Sequence, residues 1–130
     1  MRNLLSAILL TGLAGGALIA APAANADPAQ CFYSHDWDGW KATPDSRTIF
    51  IKVGVNKIYR IDLARECPNL QAPHAQLRTD TPGNSAICTA LDLNLQVADG
   101  LGGSKVSCIP SHITRLSPEE AAALPKNLRP

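Results

Sequence analysis

Arg47-Thr48-Ile49-Phe50-Ile51-Lys52-Val53, then Gly54-Val55-Asn56, then Lys57-Ile58-Tyr59-Arg60-Ile61-Asp62-Leu63 is the stretch that decides the fold class. Both outer runs alternate apolar and polar residues with the period of two that puts successive side chains on opposite faces of a strand. The three residues between them contain a glycine and an asparagine, which suit a tight connection, so the stretch is predicted to be a β-hairpin. If Val53 faces Lys57, then Ile51 faces Tyr59 and Ile49 faces Ile61, which makes the odd-numbered face a core face. The even face carries Thr48, Phe50 and Lys52 opposite Asp62, Arg60 and Ile58, and reads as mostly polar. Phe50 opposite Arg60 is expected there as an exposed cation–π pair.

Working outward, residues 91–108 repeat the pattern. Leu91, Leu93, Leu95 and Val97 share one face, Asp92, Asn94 and Gln96 the other, and Asp99-Gly100-Leu101-Gly102-Gly103 supplies a loop. Pairing Val97 with Ser104 places Leu95 opposite Val106 and Leu93 opposite Cys108, so Cys108 is expected to face the core. Between the hairpins, Pro68, Pro73, Pro82 and Gly83 interrupt any long element, while residues 76–79 add a short strand. Ser117-Pro118-Glu119-Glu120 is a capping box with proline in the first helical turn, ahead of Ala121-Ala122-Ala123-Leu124 and Pro125. It predicts a helix of about two turns. The fold class expected is mainly β: a small single domain of antiparallel hairpins with one short C-terminal helix.

The first residues address the compartment. Arg2 is a positive leader, residues 4–19 are apolar apart from small or hydroxyl residues, and Ala24-Asn25-Ala26 is the small-x-small pattern accepted by signal peptidase. The cut is expected between Ala26 and Asp27, leaving residues 27–130 as one domain in the periplasm or the medium. The apolar run is diluted by Gly12, Gly15 and Gly16 and falls short of the roughly 20 strongly apolar residues of a membrane span. No cysteine stands at the cut to carry a lipid, so no membrane anchor is expected after cleavage. Arg2 leaves with the signal, which takes the basic count from 12 to 11 against 11 acidic residues. A neutral chain without a basic cluster lacks the charge that drives phosphate binding, and nucleic acid is excluded as a partner.

Cys31, Cys67, Cys88 and Cys108 are the four cysteines. An even number in a small exported domain predicts two disulfides. Metal binding fits poorly, because there is no C-x-x-C pair and the four-residue step from Cys31 to His35 has no second close pair to complete a tetrahedral set. The second hairpin's register constrains the pairing. Cys88 would lie five residues beyond Leu93, about 17 Å from Cys108 at about 3.4 Å per residue, against the 7 Å a disulfide spans. That removes Cys88 with Cys108, and with it Cys31 with Cys67. Of the two arrangements left, Cys67 with Cys88 and Cys31 with Cys108 is preferred over Cys31 with Cys88 and Cys67 with Cys108.

Four patches together resemble a known family: Cys31, the strand start Arg47-Thr48-Ile49, Tyr59-Arg60-Ile61-Asp62-Leu63 running into Cys67-Pro68-Asn69-Leu70, and Ile87-Cys88 with Cys108-Ile109. Their order is similar to that of small exported, four-cysteine bacterial proteins of proteobacterial type, classed as a domain of unknown function. The resemblance spans most of residues 31–113. Asn69 stands where that family's pattern has glycine, a tolerable change because asparagine also accepts a left-handed turn. The resemblance implies an envelope location and a shared fold, and transfers no catalytic residue.

For function, His35-Asp36-Trp37-Asp38-Gly39-Trp40 is the unusual patch, gathering both tryptophans, two carboxylates and a histidine within six residues. It suits a sugar-stacking or metal-touching loop, although isolated His and Asp ligands without a second cluster seldom make a metal site and each tryptophan is also wanted as core in so small a domain. Arg60, on the polar face of the first hairpin with Asp62, Lys52 and Thr48, is a second candidate binding position, against an ordinary solvated face with paired charges. His35, His74 and His112 with acidic residues are the ingredients of acid–base chemistry, but no spacing brings them together, and no nucleophile elbow, zinc-binding helix or phosphate loop is present. The sequence therefore points to a non-enzymatic binding or interaction module, inhibitor-like in its sharper form, that meets an envelope protein or a small ligand and needs no cofactor. The alternative is a small secreted hydrolase using histidine and acidic residues.

Overall fold

A computed structural model describes residues 30–130. The export segment and its cut after Ala26 lie outside the described residues. The chain forms β1 (Phe32–Tyr33), β2 (Trp37–Ala42), β3 (Thr48–Val53), β4 (Lys57–Leu63), β5 (Ala75–Thr79), β6 (Ala86–Ile87), β7 (Leu95–Asp99), β8 (Lys105–Cys108), β9 (Pro110–Arg115) and α1 (Pro118–Ala123). The strands make three antiparallel sheets, ordered β2-β3-β4-β9, β5-β7-β8 and β1-β6.

The first hairpin has the predicted register, with Val53 opposite Lys57, Ile51 opposite Tyr59 and Ile49 opposite Ile61. Ile49, Ile51, Tyr59 and Ile61 are fully buried. They join Phe32, Leu70, Ile87, Leu93, Leu95, Val97 and the half-cystines Cys67 and Cys108 in one core shared by all three sheets. Gly54 takes φ 60 in the connection and Asn69 takes φ 65 in the loop after β4, the left-handed conformations expected of these residue types. The short strand predicted at residues 76–79 is present as β5. Two further strands flank the hairpin: β2 pairs with β3, and β9 with β4.

The even face departs from expectation. Phe50 is opposite Arg60, but it is buried rather than exposed. Leu116, Glu120, Ala123 and Leu124 of the C-terminal segment lie over it, and the Arg60 Nε donates to Asp62 Oδ1 at 2.9 Å. The helix that covers Phe50 starts as predicted: Ser117 Oγ accepts the Glu120 amide, and Glu120 accepts the Ser117 amide. Arg129 then donates to the carbonyls of Leu124 and Ala122, satisfying acceptors that a helix end leaves open.

The second hairpin is shifted by two residues. Val97 faces Val106 and Leu95 faces Cys108, so the loop is longer than predicted. Asp99 makes the longer loop stable, accepting the Leu101 amide on its carboxylate and the Gly102 amide on its carbonyl. Gly100 donates to the His74 carbonyl, and a Cβ at Gly100 would stand 2.9 Å from that oxygen, so the close approach requires glycine. A shift of two preserves the faces: Leu93, Leu95, Val97 and Cys108 are buried as expected. Leu91 is not. It is 97% exposed, because Ala90–Asp92 is a 3₁₀ turn and not strand. The Asp92 carboxylate sets that turn, accepting the amides of Cys88 and Thr89 and the Thr89 hydroxyl.

Two disulfides are present, but joined as Cys31–Cys88 and Cys67–Cys108, which corrects the preferred pairing. Phe32 pairs with Ile87, so Cys31 and Cys88 are the next residues of the same ladder, with Cα atoms 4.2 Å apart. Neither two-residue strand has a pattern legible in sequence. Cys67, whose amide donates to the Ser46 carbonyl at the end of the four-stranded sheet, is tied to Cys108 at the end of β8, 5.4 Å between Cα atoms. This bond links the two larger sheets. Cys88 and Cys108 are not joined, as expected, although a 3₁₀ turn at Ala90–Asp92 and not a continuous strand lies between Cys88 and Leu93. In the chain-entropy model, closing loops of these separations, 57 and 41 residues, contributes about 4 kcal/mol each.

A candidate ligand cleft between two sheet edges

β2 is the edge of the four-stranded sheet, and β5 is the edge of the three-stranded one. Between them lies a cleft of about 480 Å³, lined by Ser34 and His35, by Trp37, Asp38, Gly39 and Trp40 of β2, and by Leu77, Arg78 and Thr79 of β5. Four of the residues singled out by sequence, His35, Trp37, Asp38 and Trp40, therefore line one cavity. Its volume is within the roughly 300–1,000 Å³ of small-ligand sites.

A bulge builds the aromatic part. Trp37 pairs with Val53, Gly39 with Lys52 and Trp40 with Ile51, so Asp38 is the extra residue on β2. Tryptophans three apart on a regular strand would point to opposite faces. Here both oppose core-facing residues of β3 and pack against the core while lining the cleft. The Trp37 indole is fixed by its Nε1, which donates to the Gly39 carbonyl at 3.1 Å. Gly39 itself is not demanded by the backbone: its φ is not left-handed, and a Cβ there would meet no atom within 4 Å. Glycine in a strand without such a demand is found at bulges and where a ligand comes close to the main chain.

The polar part comes from both edges. Asp38 projects with its side chain 71% exposed, 3.6 Å from the Lys52 ammonium. Arg78, across the cleft on β5, is exposed and hydrogen-bonds Gln76 on its own strand. His35 closes one end. Its Nδ1 is 2.7 Å from the Gly83 carbonyl, which can only accept, so Nδ1 carries the proton. The ring stacks on Tyr33 at 5.4 Å, and its Nε2 is 3.4 Å from Asp36 Oδ1. Ser34 Oγ donates to the Thr81 carbonyl, a second tie between this turn and the loop after β5.

The other candidates are placed elsewhere. Asp36 does not line the cleft; its carbonyl accepts the Gly54 amide and anchors the first hairpin's turn. Arg60 belongs to a separate hollow of about 290 Å³, shared with residues of the C-terminal helix, and its Nε donates to Asp62, which also accepts from Thr48. His112 lies on β9 opposite Asp62, and the His74 carbonyl holds the Gly100 loop. No hydrogen bond joins any two of His35, His74 and His112. Among the described residues, no three His, Cys, Asp or Glu side chains gather to hold a metal ion. Ser34, Leu77, Arg78 and Thr79 are the cleft residues that sequence reading missed. The strand at 76–79 was legible, but nothing local to it shows which edge it faces.

The family model for a family of unknown function, DUF6491, matches residues 1–130. No curated protein and no solved structure matches the chain.

Proposed function

Because the chain belongs to DUF6491, a family of unknown function, its role has to be read from its own site, and we propose that it is an exported, non-enzymatic binding module whose ligand occupies the β2–β5 cleft. The observation that carries this is the bulge at Asp38, which turns both indoles onto one face and leaves a bare glycine between them. A bulge is a device for re-aiming side chains, and it commonly sits at functional edges. Export is supported by the Arg2 leader, the apolar run and Ala24-Asn25-Ala26. Two disulfides fit an oxidising compartment. The Cys67–Cys108 bond also ties together the two sheets whose edges form the cleft, which lowers the ordering cost of binding.

The test is export of the full-length chain in a bacterial host, recovery from periplasm or medium, and screening against glycans, peptides and envelope extract. The footprint is then read by backbone amide shifts. A ligand that shifts Trp37, Trp40 and Arg78 while emerging chemically unchanged is the expected result. Turnover of the ligand, or a footprint away from the cleft, would overturn the reading.

A further inference from the structure

We infer that the ligand of this cleft is a linear oligosaccharide; the inference rests on the reading of the cleft as the ligand site. A sugar ring has one largely C–H face and a rim of hydroxyls, each both donor and acceptor. It is complementary to a flat apolar platform edged by groups of both kinds. Trp37 and Trp40 supply the apolar surface, set on one side of β2 by the bulge, with Trp37 also held by the bond from its indole to the Gly39 carbonyl. Around it stand the acceptor Asp38, the donor Arg78 and the hydroxyls of Ser34 and Thr79, whose protons go to Thr81 and whose oxygens are left to accept. Asp38 and Arg78 stand on opposite walls of the cleft, an acceptor on one side and a donor on the other for the hydroxyls of a sugar ring, with Lys52 beside Asp38.

The length of the ligand follows from Trp40. This indole also lines a second groove of about 370 Å³, which continues past Lys41 and Pro44 to Gln71, Pro73 and Asn127. Two grooves adjoining at one aromatic side chain suit a chain of sugar rings, not a single ring. An added peptide strand fits less well. The bulge breaks the register of the β2 edge, and the Gly39 carbonyl already accepts the Trp37 indole.

The experiment is titration of the exported, disulfide-bonded protein with maltohexaose, cellohexaose and chitohexaose, their disaccharides, an acidic polysaccharide such as alginate, and extended peptides. Tryptophan emission and amide shifts are followed together. At least one linear glycan of the panel should perturb Trp37 and Trp40, and a hexasaccharide that does so should bind more tightly than its disaccharide. Arg78→Ala and Asp38→Ala, both at exposed positions, should melt like the parent and weaken binding about tenfold each, the scale of one lost hydrogen bond to a charged group. Asn127→Ala should weaken the hexasaccharide and leave the disaccharide unchanged. A peptide bound in the cleft while no glycan is would overturn the saccharide assignment and leave the cleft as a ligand site. Glycan binding that maps elsewhere, or no binding by any member of the panel, would overturn both.

Discussion

Trp37 and Trp40 are three residues apart on β2, yet they oppose Val53 and Ile51, two residues that β3 sends to the same face. Asp38 absorbs the odd residue. The arrangement supplies a core contact and a ligand surface from the same pair of side chains, since both indoles pack on the core and line the cleft.

Deleting Asp38 should leave Trp37 opposite Val53 and Trp40 opposite Ile51 on a now regular strand, with the fold and the tryptophan emission little changed. Deleting both Asp38 and Gly39 makes the two tryptophans neighbours and should instead turn Trp37 or Trp40 to the opposite face, costing about 2 kcal/mol or more in lost burial. Red-shifted emission and a lower melting temperature in the double-deletion variant alone are the expected outcome. Equal effects in the two variants would contradict the bulge geometry.

The two faces of the first hairpin should respond differently, but not as a simple core face and solvent face. Ile51→Asp should abolish folding, because burying an unpaired carboxylate costs several kcal/mol in a domain of modest stability. Lys52→Ala should stay within about 0.5 kcal/mol. Phe50→Ala should cost about 3 kcal/mol despite its even-numbered position, because the C-terminal segment covers it. Urea denaturation distinguishes the three.

Non-reducing peptide mapping should return Cys31–Cys88 and Cys67–Cys108 peptides. Reduction should lower stability by several kcal/mol, from about 4 per bond in the chain-entropy model. Recovery of a Cys67–Cys88 peptide would contradict the β1–β6 pairing.

Asp92 gives an acid-side signature. The Thr89 amide, then the Cys88 amide, donate to its carboxylate and hold it below its ordinary value of 3.8. A carboxyl with a lowered folded-state pKa contributes stability that is present above 3.8 and lost as pH falls below that value through its folded pKa. Asp92→Asn should therefore melt lower than the parent at pH 7, and the gap should narrow as pH drops below 3.8. A gap constant with pH would mean that the carboxylate's charge does not hold the turn.

The sequence by itself determined what depends on near neighbours. Strict alternation fixed the register of β3 and β4, the capping box fixed the start of α1, and Asn69 was recognisable as a left-handed position. Burial parity along 93–97 also held, because a two-residue slip leaves every side chain on its original face. Tertiary structure decided what depends on distant partners. The hydrogen bonds of Asp99, and of Gly100 to His74, lengthened the second loop; Asp92 turned Leu91 out to solvent. The pairing of Cys31 with Cys88 followed from two-residue strands too short to carry a pattern. In the cleft, the sequence named His35, Trp37, Asp38 and Trp40, but Arg78 and Thr79 arrive from 38 or more positions along the chain, where only the packing of one sheet edge toward another could place them.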